Sequence, residues 1–289
     1  MGFKLGSSNV NKVYVGSTEA TKVYLGSTQI YPSGAYDPDA QAFITAVATL
    51  TTPQEVAVND LVLALKSASL WSKIYCYYPN VGGTASAHKW NLKDPRDLDA
   101  AYRLLFYGGM THNANGFTGN GTNAYADTKL IPSSVMIQDD TAMVYVSGTN
   151  SGANSVEIGV ANAAANPRIL LNTRWSSGEA ASDMYNTLTG RVVQWVADGS
   201  GIFIATRTSS SVHKLFRNGV QIGSTNTGAS GSLSGANVSA IINAYKQGGT
   251  LAFYSSKNCK GAGLLKGLTD ADVANLNTAI QNFNTALGR

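Results

Sequence analysis

Charge is scarce in this chain. Asp, Glu, Lys and Arg together make up 13% of its 289 residues, about half the usual share for a globular protein. The few charges do not cluster. The formal net charge of +4 is spread along the chain, with no Lys/Arg run and no interleaving of basic and aromatic residues. A nucleic-acid partner is therefore not expected. Cysteine is almost absent: Cys76 and Cys259 are far apart, which rules out a metal site on CxxC spacing. One long-range disulfide is open to them, but two buried free thiols are expected for a protein assembled in a cytosol. His88, His112 and His213 fall at no ligand spacing, so no metal and no cofactor is expected. No apolar run is long enough to span a bilayer and none opens the chain as a leader would, so no membrane insertion and a cytoplasmic site of folding are expected.

Gly, Ser, Thr and Asn fill the space left by charge. They suit turns and neutral hydrogen-bonding surfaces. The apolar share, 44%, is enough for a sizeable core, and the length suits one large domain or two ordinary ones.

The chain opens on an internal repeat. Phe3-Lys-Leu-Gly-Ser-Ser, Val13-Tyr-Val-Gly-Ser-Thr and Val23-Tyr-Leu-Gly-Ser-Thr recur every ten residues. Val, Tyr and Leu favour strands, and Gly6, Gly16 and Gly26 supply turn or bulge geometry. A unit this small cannot bury its own apolar face, so residues 1–33 are expected to pack on a partner. Val13, Tyr14, Val15, Val23, Tyr24 and Leu25 are the expected assembly residues.

Residues 34–75 read as a helical linker. Asp37 caps a helix with Pro38 at its first position, and Phe43, Val47 and Leu50 recur at helical spacing. Thr52-Pro-Gln-Glu55 reads as a capping box, followed by the apolar stripe Val58, Leu61, Val62 and Leu65, with Leu70-Trp71 tucked into the same core. Residues 76–289 read as a β-sandwich closed by a helix. The expected strands are 141–147, 156–160, 168–174, 201–207, 212–217, 220–224, 239–244 and 251–254, short and separated by Gly, Asn and Ser turns. Asn218-Gly219 is the strongest hairpin signal, a type I′ turn. Thr269 and Asp272 open a last helix whose stripe is Val273, Leu276, Ile280, Phe283 and Leu287, stopping at Gly288.

Catalytic signals are weak. There is no G-x-S-x-G elbow. Two S-x-x-K matches, at Ser86 and Ser211, lack their companion motifs. Asp94, Asp97 and Asp99 read as a turn or helix start, and Asp139-Asp140 as a turn before a strand. A sugar-cleaving pair of carboxylates does not follow from spacing, and no catalytic residue is assigned. The loop 111–128 is rich in Asn, Gly, Thr and aromatics. Asn113, Asn115, Phe117, Asn120, Asn123 and Tyr125 are its candidates for hydrogen-bonding and stacking on a glycan.

Several stretches resemble bacteriophage virion proteins: Tyr78-Pro-Asn-Val-Gly-Gly-Thr-Ala-Ser-Ala-His-Lys-Trp-Asn-Leu-Lys-Asp-Pro-Arg-Asp97, Gly121-Thr-Asn-Ala-Tyr-Ala-Asp-Thr128 and the closing segment from Gly267 to Gly288. The Val-Tyr-Leu-Gly-Ser-Thr repeat resembles the start of tail or head-fibre proteins. Lys214-Leu-Phe-Arg-Asn-Gly-Val-Gln-Ile-Gly223 resembles a laminin-G or concanavalin A-like jelly roll. The resemblance implies a mainly β protein: a jelly-roll sandwich with an N-terminal β-repeat anchor, a short helical segment and a C-terminal helix. It implies a non-enzymatic fibre or spike component of the virion, a homotrimer that contacts other capsid or tail proteins and displays the sandwich for attachment to a host-surface glycan. The rivals are a decoration protein without a ligand and a polysaccharide depolymerase.

Overall fold

The computed structural model describes residues 4–5, 8–9, 14–19, 22–25, 28–32, 36–186, 190–233 and 237–289. In the N-terminal repeat, each unit forms a two-stranded antiparallel hairpin: Lys4–Leu5 with Ser8–Asn9, Tyr14–Val15 with Thr18–Glu19, and Lys22–Leu25 with Thr28–Pro32. In the middle one, Val15 pairs with Thr18 around Gly16-Ser17, and Gly16 has φ +65°. That left-handed conformation is the reason for glycine there. Tyr14, Val15, Val23, Tyr24 and Leu25 lie on these strands; Val13 falls outside the described residues.

The rest of the described chain is a three-layer body. Helices α1 (Pro38–Val47), α2 (Thr52–Ser67) and α5 (Asp270–Ala286) form one layer. The single-turn helices α3 (Ala85–His88) and α4 (Pro132–Val135) lie in connections. Two antiparallel sheets form the other layers, the sandwich expected of a jelly roll. The inner sheet has the order 220–226, 212–217, 201–209, 141–147, 258–265, 116–118, 111–113, with Ile74–Tyr78 also paired to Asn258–Leu265. The outer sheet runs 192–195, 179–186, 168–172, 158–161, 241–242, 125–127, 105–107. The hairpin of Tyr245–Gln247 and Thr250–Ala252 joins it through a parallel pairing to Ile158–Ala161.

Strand alternation explains the layering. In Thr141–Ser147, Ala142, Val144 and Val146 pack under the helices, while Met143 and Tyr145 face the outer sheet. The same split holds for Ile202 and Ile204 against Phe203 and Ala205. All seven residues of Thr141–Ser147 are buried, because both faces of this sheet are covered.

The helices are thus a packed layer and not a spacer. Phe43, Val58, Leu61 and Leu65 share one core with Ile280 and Phe283 of α5 and with the inner sheet. The strand Ile74–Tyr78 crosses the boundary expected at residue 75 and belongs to the sheet. Asp37 caps α1 as expected, its Oδ1 accepting the Asp39 N–H at 3.0 Å. The capping box of α2 is shifted by one residue: Thr51 is the cap, and Gln54 Oε1 accepts its N–H at 3.0 Å. Thr269 and Asp272 cap α5 reciprocally, at 3.2 and 2.9 Å. Asn218 and Gly219 both have positive φ, +51° and +80°, and Arg217 pairs with Val220 across them. Asp99 opens a single 3-10 turn, Asp99–Ala101, as expected of a turn or helix start; Asp94 and Asp97 lie ahead of it and pair with Arg96 and with Lys89 and Arg103. Cys76 and Cys259 are free and buried. No helix among the described residues is long and apolar enough to cross a membrane.

Candidate ligand face of the outer sheet

One face of the outer sheet packs into the sandwich; over the other no further sheet or helical layer lies among the described residues, although most side chains of its central strands are buried. Ile169 and Leu171 point into the sandwich, so Arg168 and Leu170 point out. On the neighbouring strand Ala180 and Met184 point in, and Asp183 points out. The result is a charge cluster on the open face. Arg168 Nε donates to Asp183 Oδ2 at 2.6 Å. Arg191 donates to the same oxygen through Nε at 3.0 Å and Nη2 at 2.5 Å. Asp183 is 1% exposed, while both guanidinium side chains keep about a quarter of their surface open, 26% and 28%. The Arg191 guanidinium lies 5.0 Å from the centre of the Trp175 ring, within cation–π range. Trp175 is placed by the turn after Arg168–Asn172, where its N–H donates to Glu179 O at 2.7 Å and its O accepts from Gly178 at 3.0 Å.

A glycine opens the floor of this site. A Cβ on Gly159 would stand 2.7 Å from Tyr245 Cδ2 and 2.7 Å from Val156 Cγ1. Only the bare strand leaves room for Tyr245 over the sheet. The chain reaches this position after reversing at Asn243, φ +62°. Burial pushes the Tyr245 phenol up in pKa, and the neighbouring Arg168 pulls it down; the hydroxyl is buried without a well-formed hydrogen bond among the described residues. Phe253 sits edge-on to Tyr245, ring centres 6.2 Å apart. Phe253 is 57% exposed and holds φ +51°, a conformation that costs an ordinary side chain about 1–2 kcal/mol. These groups, with Asn154, Ser155 and Ser177, line an open cavity of about 390 Å³, within the size range of a small-ligand site.

A buried ion pair holds the surrounding loops. Lys257 Nζ lies 3.3 Å from Glu157 Oε2, and neither side chain is exposed. Ser155 Oγ and Ser255 Oγ donate to Glu157 Oε1 at 3.0 and 2.9 Å, and the Thr173 N–H donates to Oε2 at 2.6 Å. Lys257 also donates to Thr173 Oγ1 and Arg174 O, at 3.1 and 2.7 Å. Desolvation lowers the pKa of Lys257, and Glu157 opposes that shift. The network ties together the segments that carry Ser155, Trp175 and Phe253, which fixes the cavity rim.

A second aromatic group lies further along the same face. Tyr107 and Tyr125 are paired across neighbouring strands and stack at 4.9 Å with 16° between their planes. Tyr254 lies 6.3 Å from Tyr125.

The loop expected to touch a glycan divides. Phe117 is excluded: it is 0% exposed and belongs to the core between the sheets, because its strand pairs with Cys259 inside the inner sheet. Asn113 accepts the Asn115 N–H at 2.8 Å and closes a hairpin. Asn120 Oδ1 accepts the backbone N–H groups of Thr122, Asn123 and Ala124, each at 3.0 Å, and its amide donates to Gly108 O and Asn123 Oδ1. Asn113 and Asn120 are exposed but already hold turns, and the side chain of Asn115 is exposed. Tyr125 is the member of the set that stands on the outer sheet. The sequence reading missed Arg168, Trp175, Asp183, Arg191, Tyr245 and Phe253. The usable signal was a Trp in a Ser-Ser-Gly turn next to a strand that begins with Arg.

Two histidines meet elsewhere. The Gly83 N–H donates to His88 Nε2 at 3.2 Å, so His88 carries its proton on Nδ1, 3.0 Å from His112 Nδ1. His213 is buried apart from them; its Nδ1 donates to Gly190 O at 3.1 Å and its Nε2 accepts from Ser182 at 2.9 Å. No group of three metal-ligating side chains occurs among the described residues.

No protein-family model and no curated protein matches the chain. Solved structures do resemble it in architecture. Domain 4 of AbnA, an extracellular GH43 arabinanase from Geobacillus stearothermophilus solved with arabinotriose, is 14% identical at a TM-score of 0.48, covering 71% of this chain and 98% of its own. The CBM40 of the Ruminococcus gnavus IT-sialidase, bound to α2,3-sialyllactose, is 17% identical at 0.43, covering 54% and 92%. The NanB sialidase of Streptococcus pneumoniae is 14% identical at 0.38, covering 50% and 25%. What those proteins bind is a property of those proteins.

Proposed function

We propose that this chain is a non-catalytic attachment component of a bacteriophage particle, in which the open face of the outer sheet binds a host-surface glycan. The observation that carries the binding reading is the cavity between Trp175, Tyr245 and Phe253. Aromatic faces there can stack on a sugar ring, and Arg168, Arg191, Asn154 and Ser177 offer polar partners for its substituents. The strained, exposed Phe253 supports it, since strain retained at a surface aromatic points to use. The cavity lining contains no carboxylate, and Asp183 behind it is engaged by two arginines. That arrangement supports binding over cleavage, which needs two free carboxylates facing each other. Placement in a virion is supported by the resemblance of residues 78–97, 121–128 and 267–288. Residues 1–33 are assigned to holding copies together, as a trimer, and to contacts with other virion proteins. Many such sites on one particle raise total avidity.

A glycan array probed with the assembled protein tests the binding reading: host polysaccharides are retained by the wild type and released by Trp175→Ala. Retention of no glycan favours a decoration role. Particle imaging that finds no copies on the virion contradicts the placement, and an unchanged oligomeric state after deletion of residues 1–33 contradicts the anchor.

A further inference from the structure

We propose that the cavity selects an acidic sugar, whose anionic group is received by the in-plane N–H groups of Arg191 and Arg168. The inference rests on the glycan reading above and narrows its ligand class.

Two guanidinium groups converge on one carboxylate, Asp183, and no carboxylate lines the cavity. Among the described residues the cluster therefore keeps one positive charge uncompensated. Among the described residues its donors are also incompletely used. Arg191 commits Nε and Nη2 to Asp183, and Arg168 commits Nε. The remaining N–H groups belong to side chains that line the cavity, where Arg168 also approaches the Tyr245 hydroxyl.

Asp183, almost wholly buried, grips both guanidiniums from below. The Arg191 guanidinium lies over the Trp175 ring, 5.0 Å from its centre. A guanidinium pinned at its Nε side and held over an aromatic ring presents its remaining in-plane edge, the geometry suited to a bidentate anion. The apolar walls, Leu170, Phe253 and the Tyr245 ring, reduce solvent screening of that interaction. The same rings accept the face of the sugar that bears the acid, so charge and stacking act on one residue of the glycan. A neutral sugar satisfies the stacking and leaves the excess charge without a partner. A ring carboxylate and a sugar sulfate share the required chemistry.

The test uses the full-length protein and a panel of bacterial surface polysaccharides, each offered native, carboxyl-reduced and desulfated. The expected result is that the bound polymers are acidic and that one of the two treatments weakens binding about tenfold or more. Loss on carboxyl reduction assigns the acid as a carboxylate, and loss on desulfation assigns it as a sulfate. Arg191→Lys keeps a cation beside Asp183 but removes the fork; it is expected to weaken acidic polymers about tenfold while urea unfolding stays near the wild-type midpoint. Binding of neutral polymers, or binding indifferent to both treatments, overturns acid selection and leaves the glycan reading standing. Binding of no polymer overturns both.

Discussion

The two sheets share one core but differ in what covers their other faces. The inner sheet lies between the helices and its partner sheet, and Thr141–Ser147 is buried along its whole length. The outer sheet carries Arg168, Asp183 and Arg191 on a face that nothing in the described chain covers as a layer. Of the large apolar side chains left exposed, Tyr107, Val193 and Trp195 belong to outer-sheet strands, and Phe253 lies in the segment beside them. The inner sheet leaves Val220 exposed, on its edge strand. The binding proposed above uses the face of the outer sheet turned away from the shared core. The outer face tolerates groups that a covered face would reject, because burial of an unpaired charge or a strained aromatic brings no compensating contact there.

The comparison makes ordered predictions. The largest effects belong to the covered side. Phe203→Ala removes a fully buried ring from between the sheets and should cost about 3–5 kcal/mol, read as a fall in the urea midpoint. Acid should come next. Desolvation, with nearby positive charge, lowers His213 to about 4 and His88 to about 3, from 6.5. The unfolded chain takes up these protons first, so stability is lost as pH falls from 6.5 towards those values. At pH 5 each imidazole should have lost about 2 kcal/mol; equal midpoints at pH 7 and pH 5 would refute this. Gly159→Val, which drives a side chain into Tyr245, should cost about 1–3 kcal/mol and also abolish glycan retention. The smallest effect should have the opposite sign. Phe253→Gly relieves the backbone at φ +51° and should leave stability unchanged or raised by about 1 kcal/mol, while weakening binding. A large loss of stability there would place Phe253 in the core account instead.

Much of the frame was legible in the sequence because its signals are local. Asp37-Pro38, Asn218-Gly219 and the Val273–Phe283 stripe each state their own structure within a few residues. The strand Asn258–Leu265 was not legible, although it pairs with three others. Its Gly263 argues against a strand by propensity. In the fold that glycine is required, since a Cβ would meet Cys76 O at 2.7 Å and Tyr77 Cδ2 at 2.9 Å. Glu179–Asn186 was missed for a related reason: almost all of it is buried, and it uses Ala180 and Ala181 where strand propensity would favour β-branched residues.

The candidate site was the least legible part. Its residues come from four separated stretches, around 154, 168–177, 191 and 245–253, and none has a meaningful spacing to the next. Composition pointed instead to 111–128, where asparagines are dense. There Asn120 and Asn113 are consumed by backbone turns. An asparagine-rich loop and an asparagine-rich binding site look alike until their hydrogen bonds are counted.

Amide hydrogen exchange of the full chain with and without a retained host polysaccharide tests the central claim most directly. Slowed exchange in residues 153–156, 173–178 and 245–254, with the 111–123 hairpin and loop unchanged, is the predicted footprint. Protection confined to 111–123, or to the helical layer, would contradict the assignment of the outer sheet as the ligand face.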